Sequence, residues 1–196
     1  HVALSYARQA AFQIDKALES ARKAADLEPR DALARARVSE LELSVGNLDR
    51  ALASAREAVQ AEPRLARTKT VLGFAHLTRI EIQEARATFE EAIELDPADP
   101  LPRLGLGLAK IRRNELAEGR RDIEIAASLD PDNALVRSYL GKAYFEEKRG
   151  RLASASFRLA KQLDPNDPTP WFYDSIYKQS VNRPVEALRD LRKSIE

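Results

Sequence analysis

Residues 134–167 read ALVRSYLGKAYFEEKRGRLASASFRLAKQLDPND. Strong helix formers run up to Asp164, and Pro165 then stops them. Proline offers no amide donor and pushes the residue before it out of the helical region. Pro165 is also the last of five prolines, after Pro29, Pro63, Pro97 and Pro131, each 34 residues beyond the one before. An acidic residue precedes every one: Glu28, Glu62, Asp96, Asp130 and Asp164. Five residues before each stands an alanine: Ala24, Ala58, Ala92, Ala126 and Ala160. A strict period of this length marks a stack of identical supersecondary units.

Two further columns at the same period hold small side chains throughout. One is Ser5, Ser39, Gly73, Gly107, Gly141 and Ser175; the other is Ala17, Ala51, Ala85, Gly119, Ala153 and Ala187. Helix axes come within about 8 Å of each other only where little protrudes between them. Each unit therefore reads as two helices crossing at its small residues. In the third unit these are 66–79 and 82–95, with Ile80–Glu81 between them, and Gly46–Asn47 supplies the turn of the second unit. Pro100 and Pro168 stand where a helix opens, the position that tolerates proline. The units run 1–31, 32–65, 66–99, 100–133, 134–167 and 168–196.

Composition agrees. The chain is 44% hydrophobic and 32% charged, with Ala, Leu, Arg and Glu prominent, which is an all-α composition with enough apolar residue for a core. Its net charge of +1 brings no bulk attraction to nucleic acid or an anionic bilayer. The basic clusters Arg64–Arg67–Lys69, Arg112–Arg113 and Arg120–Arg121 read as solvated faces or turns. Cysteine is absent, which removes disulfides and thiolate metal sites and leaves the compartment open. The Ala/Arg-rich, lysine-poor composition points to a bacterial source. No run of about 18 apolar residues is present to span a membrane.

The motif residues resemble the tetratricopeptide repeat family over the whole chain. Leu72–Gly73, Ala85, Phe89, Ala92 and Pro97 match its pattern, as do Leu140–Gly141, Tyr144, Ala153, Phe157, Ala160 and Pro165, and Trp171 fills the early aromatic position of the last unit. The family's tyrosine column reads Arg8, Glu42, His76, Lys110, Tyr144 and Lys178 here. Asp174 replaces a leucine, and Gly150 stands where an apolar residue opens the second helix, so the Lys148–Arg151 turn is expected to be longer than its counterparts.

The resemblance implies a right-handed superhelical α-solenoid of about twelve antiparallel helices, a single domain, with the first helix of each hairpin lining a concave groove. By family position the groove residues are Leu33, Ala36, Glu40 and Leu43; Arg67, Thr70, Phe74 and Leu77; Leu101, Leu104, Leu108, Ile111 and Arg112; Leu135, Ser138, Lys142 and Phe145; and Phe172 and Ile176. Members that clamp a peptide carboxylate use Lys and Asn at set groove positions, where this chain has Leu, Ala, Thr and Phe. The expected partner is therefore an apolar helix or extended peptide. The alternatives are a self-associating array in a larger assembly, for instance of bacterial envelope or polysaccharide-export type, and a non-catalytic arm of an enzyme. Val185, Leu188, Leu191 and Ile195 form an apolar face on the last helix, a candidate for self-association. No catalytic, cofactor or metal site, nucleic-acid partner or membrane insertion is expected. His76 reads as a packed helix residue, and Gly105–Gly107 lies inside a helix rather than in a phosphate loop.

Overall fold

The computed structural model describes residues 1–195, and among them lie twelve α-helices and no strand. They are α1 (Val2–Ala10), α2 (Ile14–Leu27), α3 (Ala32–Ser44), α4 (Leu48–Ala61), α5 (Ala66–Thr78), α6 (Ile82–Leu95), α7 (Pro100–Arg112), α8 (Leu116–Leu129), α9 (Ala134–Glu146), α10 (Gly150–Leu163), α11 (Pro168–Ser180) and α12 (Pro184–Lys193). Consecutive pairs form helical hairpins, and the fold is an all-α solenoid in class. Two compact units carry three hairpins each, one over His1–Pro97 and the other from Ala98 onward.

The first five units end their second helix in the same way. The acidic residue before the proline is extended and donates its amide to the alanine four residues back, as in Asp164 to Ala160 at 3.0 Å. The next first helix is then capped by a side chain in four of its five occurrences. Asp31, Asp99, Asn133 and Asp167 each accept a backbone N–H of the opening turn, at 2.8–3.1 Å. Leu65 holds that position before α5 and makes no such bond. A cap of this type contributes about 1 kcal/mol.

The crossing within each hairpin is set by volume. A Cβ on Gly73 would meet the Phe89 ring at 2.5 Å, and one on Gly141 would meet Phe157 at 2.5 Å. Both rings are fully buried. Ser5 and Ser39 occupy the same column where the facing residues are only Ala21 and Ala55. The small column is thus matched to the size of what faces it.

The Lys148–Arg151 turn corrects the expectation from Gly150. Three residues separate α9 from α10, as they separate α5 from α6, and Gly150 begins the helix. Its side chain is replaced by a neighbour: Tyr177 of α11 lies 3.1 Å from where a Cβ would stand. Tyr177 itself fills a column that is otherwise Ala7, Leu41, Ala75, Ala109 and Ala143, so the lost volume on α10 returns on α11.

Candidate functional site

The polar residues of the tyrosine column are each satisfied by partners in their own or the preceding hairpin. Lys110 donates to Asp122 and Lys178 to Asp190, both twelve residues on, at 2.5 and 2.6 Å, and Arg8 reaches Ser20 at 2.6 Å. His76 is buried, with Nδ1 2.6 Å from a Glu81 carboxylate oxygen. Burial pushes the Glu42 carboxyl up, but bonds from Arg22 and Asn47 outweigh it and leave the group below its ordinary range. These residues hold hairpins together and present no reactive group. Among the described residues no cluster of three His, Cys, Asp or Glu could hold a metal ion.

The first-helix faces of the two units differ in chemistry. In the first unit Glu40 pairs with Arg37 and Arg67, and Arg37, itself buried, bonds Ser5 at 2.9 Å and lies 3.8 Å from the Tyr6 ring centroid. Leu43 and Phe74 are half-buried, the latter against Phe89 at 5.0 Å, and Leu33 is exposed. This face is an ion-paired network across α1, α3 and α5.

The second unit is aromatic instead. Tyr139 packs tilted against Tyr173 at 5.6 Å, Phe172 tilted against Tyr173 at 5.4 Å and Phe145 edge-on against Tyr177 at 6.0 Å, all between ring centroids. Burial, helped by the neighbouring Tyr139, pushes the Tyr173 phenol far above its usual range, so it remains a neutral hydrogen-bonding group. Lys142, paired with Glu146, sits 5.9 Å from the Tyr173 ring centre, and Arg112 is exposed with no ion pair among the described residues. Leu135, Phe172 and Ile176 remain exposed; Leu101, Leu108 and Ile111 are half-buried against the core.

Five residues expected in the groove are not on the surface. Ala36, Thr70, Leu77, Leu104 and Ser138 are buried. Ala36 shares a buried cluster with Val71 and Ala75 of α5, and Leu104 shares one with Val136 and Leu140 of α9. Ala36, Leu104 and Ser138 share one column, which lies where neighbouring first helices of a unit pack on each other, so it builds the stack. Sequence reading could have caught this, because Ala, Thr and Ser at that column are too small to reach past a neighbouring helix. Toward the end of the chain, Val185 is 81% exposed, Leu188 50%, Leu191 41% and Ile195 80%.

The model of the tetratricopeptide repeat matches residues 40–100 and 104–168, which is more than half of the chain. The chain belongs to the tetratricopeptide repeat family. Solved structures agree on the fold. A thermophilic tetratricopeptide protein of Thermus thermophilus superposes with a TM-score of 0.81 at 21% identity, over 92% of this chain and 97% of that one. A tetratricopeptide repeat protein of Parabacteroides merdae gives 0.78 at 16% identity, over 98% and 75%. The Cut9–Hcn1 hetero-tetramer of the APC/C gives 0.81 at 18% identity, where the chain spans 99% of its own length and 39% of the other. No relative was found among curated proteins. Tetratricopeptide repeats are generally non-catalytic scaffolds that bind proteins or peptides. No helix among the described residues is long and apolar enough to cross a membrane.

Proposed function

We propose that this tetratricopeptide scaffold captures an apolar or aromatic peptide segment on the first-helix face of its second unit, along α7, α9 and α11. The observation that carries the reading is the exposure of Leu135 and Ile176 beside the Tyr139–Tyr173 and Phe145–Tyr177 pairs. Rigid aromatic side chains give large contact area at little entropic cost and dominate binding hot spots. Arg112 and Lys142 flank the face and favour a segment with an acidic residue near its apolar anchor. The first unit supports this role less, because Glu40 is already shared between two arginines. No carboxylate clamp is part of the proposal.

The test is selection of peptides from a random library on the intact protein, followed by affinity measurements on variants. Sequences rich in Leu, Phe and Trp should emerge, and Leu135→Glu/Ile176→Glu should bind them at least tenfold more weakly while remaining a folded monomer. Leu33→Glu, on the first unit, should bind as wild type does. Equal loss from both variants, or no enrichment, overturns the reading.

A further inference from the structure

Two members of the tyrosine column reach back to the second helix of the preceding hairpin, and they do so with different volumes. In the second unit Tyr144 on α9 packs its ring against the cluster of Leu140 and Ala127, and its hydroxyl donates to Glu124 on α8 at 2.8 Å. In the first unit the corresponding residue is Glu42 on α3. It is buried, with Oε1 accepting from Arg22 on α2 at 2.5 Å and Oε2 from Asn47 at 2.7 Å. A carboxylate fills less space than a phenol. Val38 likewise stands in a column that holds leucine at Leu72, Leu106 and Leu140.

The volume given up is open to solvent. A cavity of about 380 Å³ lies between α2 and α4, over α3, with Ala25, Val38 and Ala53 among its walls. Consecutive hairpins wall it on both sides, so it belongs to the interior of the array and not to an end. Its charges balance: Arg22, Arg35 and Arg50 stand against Asp26, Glu42 and Glu57. Arg22 is already bonded to Glu42 and Arg35 to Glu57. A charged guest of either sign would meet three like charges, and one that took Arg22 from Glu42 would strand a buried carboxylate. A neutral guest meets neither penalty. Each Glu42 oxygen has a second lone pair with which to accept a further donor. Guanidinium groups at the rim offer flat cationic faces to a ring, as Arg37 does to Tyr6 at 3.8 Å.

We infer that this cavity takes a tyrosine side chain of a partner protein, its ring against Ala25, Val38 and Ala53 and its hydroxyl donating to Glu42. The Tyr144–Glu124 pair is the internal form of the same contact, with the ring and the acceptor exchanged between the two helices. The site is separate from the peptide face of the second unit and does not depend on it.

The probe is N-acetyl-tyrosinamide, titrated into the intact protein and followed by the backbone amide shifts of α2, α3 and α4. A guest of this size should saturate those shifts with a Kd of about 1 mM. N-acetyl-phenylalaninamide lacks the hydroxyl and should bind about threefold more weakly or worse. The corresponding arginine and phosphotyrosine amides should leave α2, α3 and α4 unmoved. Ala53→Trp, on the exposed wall of α4, should close the cavity and weaken binding about fivefold or more, and Glu42→Tyr should do the same by filling it from within. Leu135→Glu/Ile176→Glu should bind the probe as wild type does. Equal binding of the tyrosine and phenylalanine amides, tighter binding of either charged amide, or indifference to Ala53→Trp overturns the inference. So does a wild-type dimer in light scattering that Ala53→Trp dissociates, because the occupant would then be a second copy of this chain.

Discussion

Six residues with positive φ close the hairpin turns, and they recur at the repeat period: Phe12, Gly46, Ile80, Asn114, Lys148 and Asn182. Glycine and asparagine suit the left-handed region, whereas a β-branched residue there crowds its own carbonyl. Ile80 adopts φ 65° while two-thirds exposed, so little burial offsets the strain. Ile80→Gly should therefore raise stability by about 0.5–1 kcal/mol, read as a higher urea midpoint with unchanged slope. The opposite sign is expected at Gly141. Its Cβ would press on the buried Phe157 ring, and Gly141→Ala should cost about 1–3 kcal/mol in the same assay. Sequence reading placed turns at Gly46–Asn47, Ile80–Glu81 and Lys148–Arg151 but not the left-handed backbone at Ile80 and Lys148, because isoleucine and lysine carry no signal for it. Only the 34-residue spacing could have exposed them.

At the scale of the element, the last two hairpins are joined through charge. Lys161 of α10 donates to Asp174 of α11 and Asp190 of α12, each at 2.5 Å, and Lys178 reaches the same two carboxylates. Trp171 lies 4.3 Å from the Lys161 ammonium. Lys161 falls in a column that is otherwise Ala25, Val59, Ile93, Ala127 and Ile195, and Asp174 falls in a column of Leu4, Val38, Leu72, Leu106 and Leu140. A cation and an anion have replaced two apolar partners together. One Asp174 oxygen is buried without a bond among the described residues, which makes the pair costly to desolvate. Lys161→Ile and Asp174→Leu should each destabilise by about 3 kcal/mol, since each leaves the cluster of two cations and two anions with one charge uncompensated, while the double variant keeps the Lys178–Asp190 pair and should come within about 1 kcal/mol of wild type. Thermal or urea unfolding of the four proteins decides it.

The same cluster sets a pH window. Burial alone would raise the Asp190 carboxyl, but bonds from Lys161 and Lys178 outweigh it and hold the group below its ordinary value. Burial likewise lowers Lys178 while its two carboxylate partners raise it further, for a net rise. A depressed carboxylate stabilises fully above its unfolded pKa near ~3.9 and loses that contribution as pH falls through the folded value. A raised ammonium stabilises fully below ~10.4 and loses it as pH rises past its folded value. Urea midpoints should fall on both sides of that window, and Asp190→Asn should flatten the acid limb.

For the whole molecule, a stack of repeats derives its stability from each hairpin and its nearest neighbours. Asp190→Asn should therefore speed hydrogen exchange in α11 and α12 while α3 and α4 keep their protection, measured amide by amide. The same locality explains what could be read in advance. Helix ends were legible because proline and its preceding acid act within one turn, and the opening prolines of α7 and α11 lie where they were expected. The groove was legible only in part. Burial of Ala36, Leu104 and Ser138 depends on a neighbouring first helix, and the Lys161–Asp174 exchange became visible only when two columns were read against each other. Leu77 is buried as well, although leucine alone does not tell a core position from a surface one.

That exchange also bears on ancestry. Hairpins of equal length and similar outline could in principle be duplicated, deleted or shuffled by recombination. The one that carries Asp174 moves at a cost: after α2 or α8 its carboxylate would lie against Ala25 or Ala127 and keep only Lys178 of its own helix. Lys161 and Asp174 thus work as an address shared by two neighbours. A gene rearrangement that separates them yields a chain with the right number of repeats in an order that no longer fits.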